Sequence, residues 1–133
     1  MKIKIVCYWA TTILLAIELA VGGGWDIARR PDALLVVTHL GYPAYVLTIL
    51  GFWKLLAVIA LLLPGFGRLK EWAYAGAFFE MTGATASHVI YRDAGWQTQT
   101  ILTVCLAALT VASWALRPPS RILGTLFPAR TKA

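Results

Sequence analysis

Apolar residues along this chain fall in four long blocks, with none of the short alternation that marks a half-buried strand. The blocks cover residues 5–21, 45–63, 72–90 and 101–116. Each comes close to the ~20 residues an α-helix needs to cross a bilayer core. The first, within MKIKIVCYWATTILLAIELAV, has a basic start and an apolar run, which is also the pattern of a signal peptide. Glu18 interrupts the run and no A-x-A site precedes Gly22, so it reads as a first spanning helix ended by Gly22, Gly23 and Gly24. The connection that follows, WDIARRPDALLVVTHLGYP, is long for a bundle, where ~2–8 residues are usual. Pro31 and Asp32 mark a helix start inside it, and Ala33 to Val37 is apolar but too short to span. The pattern therefore predicts a short interfacial or re-entrant helix, broken by Gly41 and Pro43 before the second span. Pro64, Gly65 and Gly67 end that second span, and Arg117, Pro118 and Pro119 end the fourth. The predicted fold is all-α: an integral membrane four-helix bundle over residues 1–117, followed by a basic cytoplasmic tail over 118–133.

Composition agrees with this class. Charged residues make up 14% of the 133, against about 25% in a soluble domain. The net charge of +6 is not a nucleic-acid footprint, because the basic residues cluster at helix ends, where they set topology and meet anionic headgroups. Lys2, Lys4, Arg68, Lys70, Arg117, Arg121, Arg130 and Lys132 fall on one side of the predicted spans, and Arg29, Arg30 and Arg92 on the other. The positive-inside rule then places both termini in the cytoplasm.

Candidate chemistry begins with two charges inside the spans. Lys54 is the only charged residue from Tyr45 to Leu63, and Glu80 the only carboxylate from Trp72 to Ile90. They are equally far from the centre of the turn PGFGRLKE. A hairpin therefore puts both at one depth, roughly 15 Å from the turn and near the bilayer midplane. A lone charge there costs about 2.5–3.5 kcal/mol on insertion scales, so such groups pair or line a polar cavity. Two readings stand: a proton-handling or ligand-orienting pair, or an ion pair that fixes the register of two helices.

On the third span, Glu80, Ala84, Ser87 and Tyr91 share one face, and Gly76, Gly83, Ala84 and Ala86 allow close approach. A central helix with an inward polar stripe is expected. Thr11 and Glu18, seven apart, share a face of the first span. Glu18 and His88 fall near the outer end, where His39 precedes the second span. Such groups can hydrogen-bond a quinone carbonyl, but their spacing lacks the H-x-x-x-H pattern of a metal site, and no metal is predicted. A Glu18–His88 hydrogen bond as a structural link is the simpler expectation.

Cys7 and Cys105 lie at depths differing by roughly 15 Å, beyond the ~7 Å that a disulfide can bridge. They are expected as small core residues. Trp9, Trp25, Trp72, Trp96 and Trp114 fall near span ends like an interfacial belt. Trp53, beside Lys54, sits deep, to stack on a flat ligand or to fill the bundle.

The segments HLGYPAY, ILGFWKLLAVIALLLPG and RLKEWAYAG followed by GATASH resemble the DoxX-like family of small bacterial four-helix membrane proteins. The resemblance covers the first three spans and their loops, most specifically His39 to His88; the fourth span and tail match in character only. It implies a four-helix bundle in the bacterial cytoplasmic (inner) membrane. The wider family includes subunits associated with thiosulfate:quinone oxidoreductase and with thiol-stress membrane complexes. Its recurrent polar positions correspond to His39, Tyr42, Lys54, Glu71, Glu80, Ser87 and His88. Electron transfer through cysteines does not carry over, because the chain has no redox dithiol. Two functions remain. One is a redox-associated membrane subunit that binds a quinone or other small apolar ligand, with Lys54 and Glu80 managing protons and His39 or His88, with Glu18, Ser87 and Tyr42 nearby, contacting its head. The other is a non-catalytic scaffold or small-molecule carrier whose buried charges lock the bundle. The partners implied are the lipid bilayer and a quinone or redox partner protein, with no nucleic acid. No P-loop, dinucleotide fingerprint or nucleophile triad is present.

Overall fold

The computed structural model describes residues 1–92 and 94–123. Its described residues form helices and no strands: α1 (Lys2–Ile27), α2 (Pro31–His39), α3 (Tyr45–Leu62), α4 (Gly67–Tyr91) and α5 (Trp96–Ala115), then a 3-10 turn at Pro119–Arg121. Three of them, α1, α3 and α5, are long and apolar enough to cross a membrane. α4 has the length, at 25 residues, but carries Glu80, His88 and five hydroxyl-bearing side chains (Tyr74, Thr82, Thr85, Ser87 and Tyr91) and is not among them.

The four long helices form a ring. α1 packs most closely on α3 and also on α5, while α4 packs most closely on α5 and less on α3. No helix is central, which corrects the expectation for α4. Its polar face turns inward at Ser87, and His88, Met81 and Ala77 are buried too, while Tyr91 at the end of the stripe is exposed. A core of Leu15, Leu19, Ala60, Leu61, Tyr74, Ala77, Met81 and Ala107 draws on all four members. The outer surface is apolar too, with Leu14, Ile17, Phe52, Phe79, Leu102 and Val104 exposed.

α1 departs most from expectation. It does not stop at its three glycines but continues to Ile27. Three glycines weaken a helix by roughly 1 kcal/mol each, and here the packing on α3 offsets that. A Cβ on Gly51 would stand 2.6 Å from the Gly23 carbonyl oxygen, and a Cβ on Gly23 would stand 2.9 Å from Lys54 Cβ. The two backbones therefore touch where neither has a side chain, a close approach that small residues permit.

The turn between α3 and α4 uses two successive left-handed residues, Gly65 (φ 74°) and Phe66 (φ 51°). Fully buried Lys70 (0% exposed) reaches back from α4 to donate to the Ala60 carbonyl at 2.6 Å and to that of Leu63. Arg121 donates to the Leu61 carbonyl at 2.9 Å and lies over the Trp9 ring. The last turn of α3 would otherwise leave these carbonyls without donors. The segment after α5 is thus docked rather than frayed as far as Leu123, and residues 124–133 of the predicted tail lie outside the described residues. Cys7 and Cys105 are free, and both are exposed on the outer faces of their helices, not in the core. The inward phases belong to Tyr8, Thr12 and Leu15 on α1 and to Thr103, Ala107 and Thr110 on α5.

Candidate functional site

The hairpin brings Lys54 and Glu80 together. Lys54 Nζ lies 3.0 Å from Glu80 Oε1, with both side chains largely buried. A third group completes the arrangement: Asp26 Oδ2 accepts a hydrogen bond from Lys54 Nζ at 2.8 Å. Asp26 is available because α1 continues through its glycines, and the close contact of Gly23 with Gly51 holds that last turn against α3. The signal for it was in the sequence. Glu18, Gly22 and Asp26 stand at i, i+4 and i+8, one face of any helix that does not stop between them.

Glu18 belongs to the same neighbourhood. Its charge interacts with Lys54, Glu80 and Asp26, and its Oε2 is sealed from solvent without a hydrogen-bond partner. No hydrogen bond or ion pair joins it to His88 among the described residues, which corrects the expected Glu18–His88 link. The physical reason is the unbroken helix, which presents Glu18 on the same stripe as Asp26, beside Lys54.

Three of the remaining candidates, Tyr42, Ser87 and His88, form a separate node. The hydroxyls of Tyr42 and Ser87 share a hydrogen bond at 2.9 Å, and Ser87 also donates to the Gly83 carbonyl at 3.0 Å. His88 is buried next to them, 4% exposed. Positions 80 and 87 are two turns apart on α4, about 10 Å along its axis, so this node lies beyond the charge cluster. His39 ends α2 and is exposed. Glu71 serves the opposite end of the bundle, where it accepts from Arg117 at 2.7 Å and from Trp114 Nε1 at 2.9 Å. Nearby, a buried hydroxyl chain escaped the sequence argument: Ser113 Oγ bonds Thr12 at 2.8 Å and Tyr74 at 2.9 Å. No group of three His, Cys, Asp or Glu side chains is placed to hold a metal ion among the described residues.

Between α3 and α4 lies a cleft of about 460 Å³, within the size range of small-molecule sites. Small residues face one another across it, Ala57 and Ala60 on α3 against Ala73, Gly76 and Ala77 on α4. They leave the space open because these two helices pack less closely than α1 with α3 or α4 with α5. Lys54 and Glu80 are the charged groups of its lining. Its rim carries Trp53 and Trp72, 62% and 77% exposed. Trp53 therefore lines a cleft and does not fill the bundle. A second hollow of about 290 Å³ between α4 and α5 has Glu71 as its charged group, and that carboxylate is already engaged by Arg117 and Trp114.

No curated protein and no solved structure matches the chain. The sequence model of the DoxX-like family matches residues 10–113, the stretch from the third turn of α1 to the last turn of α5. It takes in every group of the Lys54 cluster and every residue of the cleft. The chain belongs to the DoxX-like family.

Proposed function

We propose that this DoxX-like protein is a four-helix bundle of the bacterial cytoplasmic membrane, with both termini cytoplasmic and α2 at the outer interface. In this reading α4 is the fourth span, its polar face shielded by α3 and α5. The protein holds a small apolar ligand, a quinone or a compound of similar shape, in the cleft between α3 and α4. It serves as a membrane subunit of a redox system or as a carrier of that ligand. The observation that carries the reading is that an apolar cleft of ligand size has Lys54 and Glu80 in its lining, and opens between exposed tryptophans on the outer surface of the bundle. Apolar walls with a few convergent polar groups are the usual make-up of such sites.

A scaffold role is the second reading. Lys54 links α1 through Asp26 and α4 through Glu80, so one side chain ties three helices together. The two readings separate on the cleft. A Cβ on Gly76 meets nothing within 4 Å and Gly76 lines the cleft, so Gly76→Leu adds a side chain at its wall. The purified protein is expected to co-extract a small apolar compound detectable by mass spectrometry, and to bind menadione with quenching that Trp53→Phe reduces. Gly76→Leu should abolish both and leave the melting temperature unchanged. A folded, ligand-free preparation that binds neither a quinone nor its quinol before or after the substitution would leave the scaffold.

A further inference from the structure

Hydrogen-bonding capacity at the charged part of the cleft is one-sided. Lys54 has three N–H donors. Asp26 Oδ2 takes one at 2.8 Å, and Glu80 Oε1 faces another at 3.0 Å. Around this single ammonium stand three carboxylates, Glu18, Asp26 and Glu80, with two acceptor oxygens each. Donors are in short supply. Glu18 Oε2 is sealed from solvent and has none. Glu80 meets Lys54 through Oε1, and its other oxygen accepts no hydrogen bond among the described residues. Of the three carboxylates, Glu80 is the one that lines the cleft. The second Glu80 oxygen is not among the sealed acceptors, so a donor can reach it, and a hydrogen bond to a charged group is among the stronger ones.

We infer that the cleft selects a ligand whose polar end is a hydrogen-bond donor, a ring compound bearing a hydroxyl or an ammonium group, over one that offers only carbonyl acceptors. The inference rests on the ligand reading of the cleft and adds the chemistry of the head. A quinone carbonyl has to compete with carboxylates for one ammonium whose bonds are mostly made, whereas a hydroxyl finds an open carboxylate oxygen on Glu80. A phospholipid fits poorly. The apolar end of the cleft, at Leu69 and Trp72, lies near the α3–α4 turn and the charged groups lie deeper, so a headgroup at the membrane surface would leave its chains against the charges.

Three probes of nearly equal shape separate the possibilities: duroquinol, its dimethyl ether and duroquinone, titrated anaerobically into the full-length protein in nanodiscs, with empty nanodiscs subtracted. Duroquinol should bind roughly tenfold more tightly than the ether, the usual gain from a hydrogen bond to a charged group, and duroquinone no more tightly than the ether. The preference should vanish in Glu80→Leu and survive in part in Glu80→Gln, which keeps an acceptor. Should Glu80→Leu fail to fold, the comparison of probes on the unaltered protein decides alone. Duroquinone binding as tightly as duroquinol, with both lost in Gly76→Leu, would overturn the donor preference and leave the ligand cleft standing. Saturable binding of none of the three, or binding indifferent to Gly76→Leu, would overturn both.

Discussion

At the scale of single residues, Lys54 carries the greatest consequence. It sits between Asp26 and Glu80, with Glu18 alongside. Removing one partner of a buried pair leaves uncompensated charge and costs about 3–5 kcal/mol, whereas replacing the whole set by apolar groups is often neutral. Lys54→Met should therefore lower stability by about that amount, measured by thermal or denaturant unfolding in detergent. Adding Glu18→Leu, Asp26→Leu and Glu80→Met to it, so that no carboxylate of the cluster is left without its cation, should restore most of the loss. A second prediction concerns Glu71, which lies just before the 72–90 segment. Partial burial works to raise its carboxyl, but the hydrogen bonds from Arg117 and Trp114, with the Arg117 charge, outweigh this and hold it below the ordinary glutamate value. A carboxyl depressed in the folded state stabilises at pH above its unfolded value, about 4.3 for glutamate, and that contribution is lost as pH falls through the folded value. The melting temperature should fall on acidification below about pH 4, and Glu71→Gln should flatten that part of the profile. At this scale Lys54 and Glu80 were legible, because a hairpin makes equal distance from a turn into equal depth. Asp26 was not, because a run of glycines looks like an ending until something packs against it.

At the scale of elements, the contact of α1 with α3 depends on absent side chains. A Cβ on Gly51 would stand 2.6 Å from the Gly23 carbonyl and 2.7 Å from Ile27 Cγ1. Backbone cannot yield to it, and Gly51→Ala should destabilise by roughly 1–3 kcal/mol. Gly24, in the same stretch of α1, has nothing within 4 Å. Gly24→Ala should be neutral or stabilising by up to about 1 kcal/mol, since alanine is the better helix former. Unfolding of the two variants side by side checks the pair. If both destabilise alike, the close approach is not what holds this end of α1. The end of α3 is a related case, where Lys70 and Arg121 supply donors to carbonyls of its last turn. Their basic character had been assigned to topology alone. A charge count along the chain cannot distinguish a cation in the headgroup layer from one folded back onto a helix end.

For the whole molecule, the ring of α1, α3, α4 and α5 keeps neighbours in sequence next to one another and closes by packing α1 on α5. In the proposed four-span topology the termini share a side, and the positive-inside rule predicts that side to be the cytoplasmic one. A fluorescent reporter fused after Ala133 should be bright, and an alkaline phosphatase fusion at the same point inactive; a fusion near Arg29 should give the reverse. The pattern of apolar blocks, the class of fold and the common depth of Lys54 and Glu80 were determined by the sequence, because helix length, bilayer thickness and hairpin symmetry are local or nearly local quantities. The tertiary structure alone decided that α1 runs on to Asp26, that Glu18 turns to Lys54 and not to His88, that Arg121 folds back onto α3, and that a cleft opens between α3 and α4. Each of these depends on how closely two distant stretches of chain approach, and that distance is set by packing between them, which neither stretch carries alone.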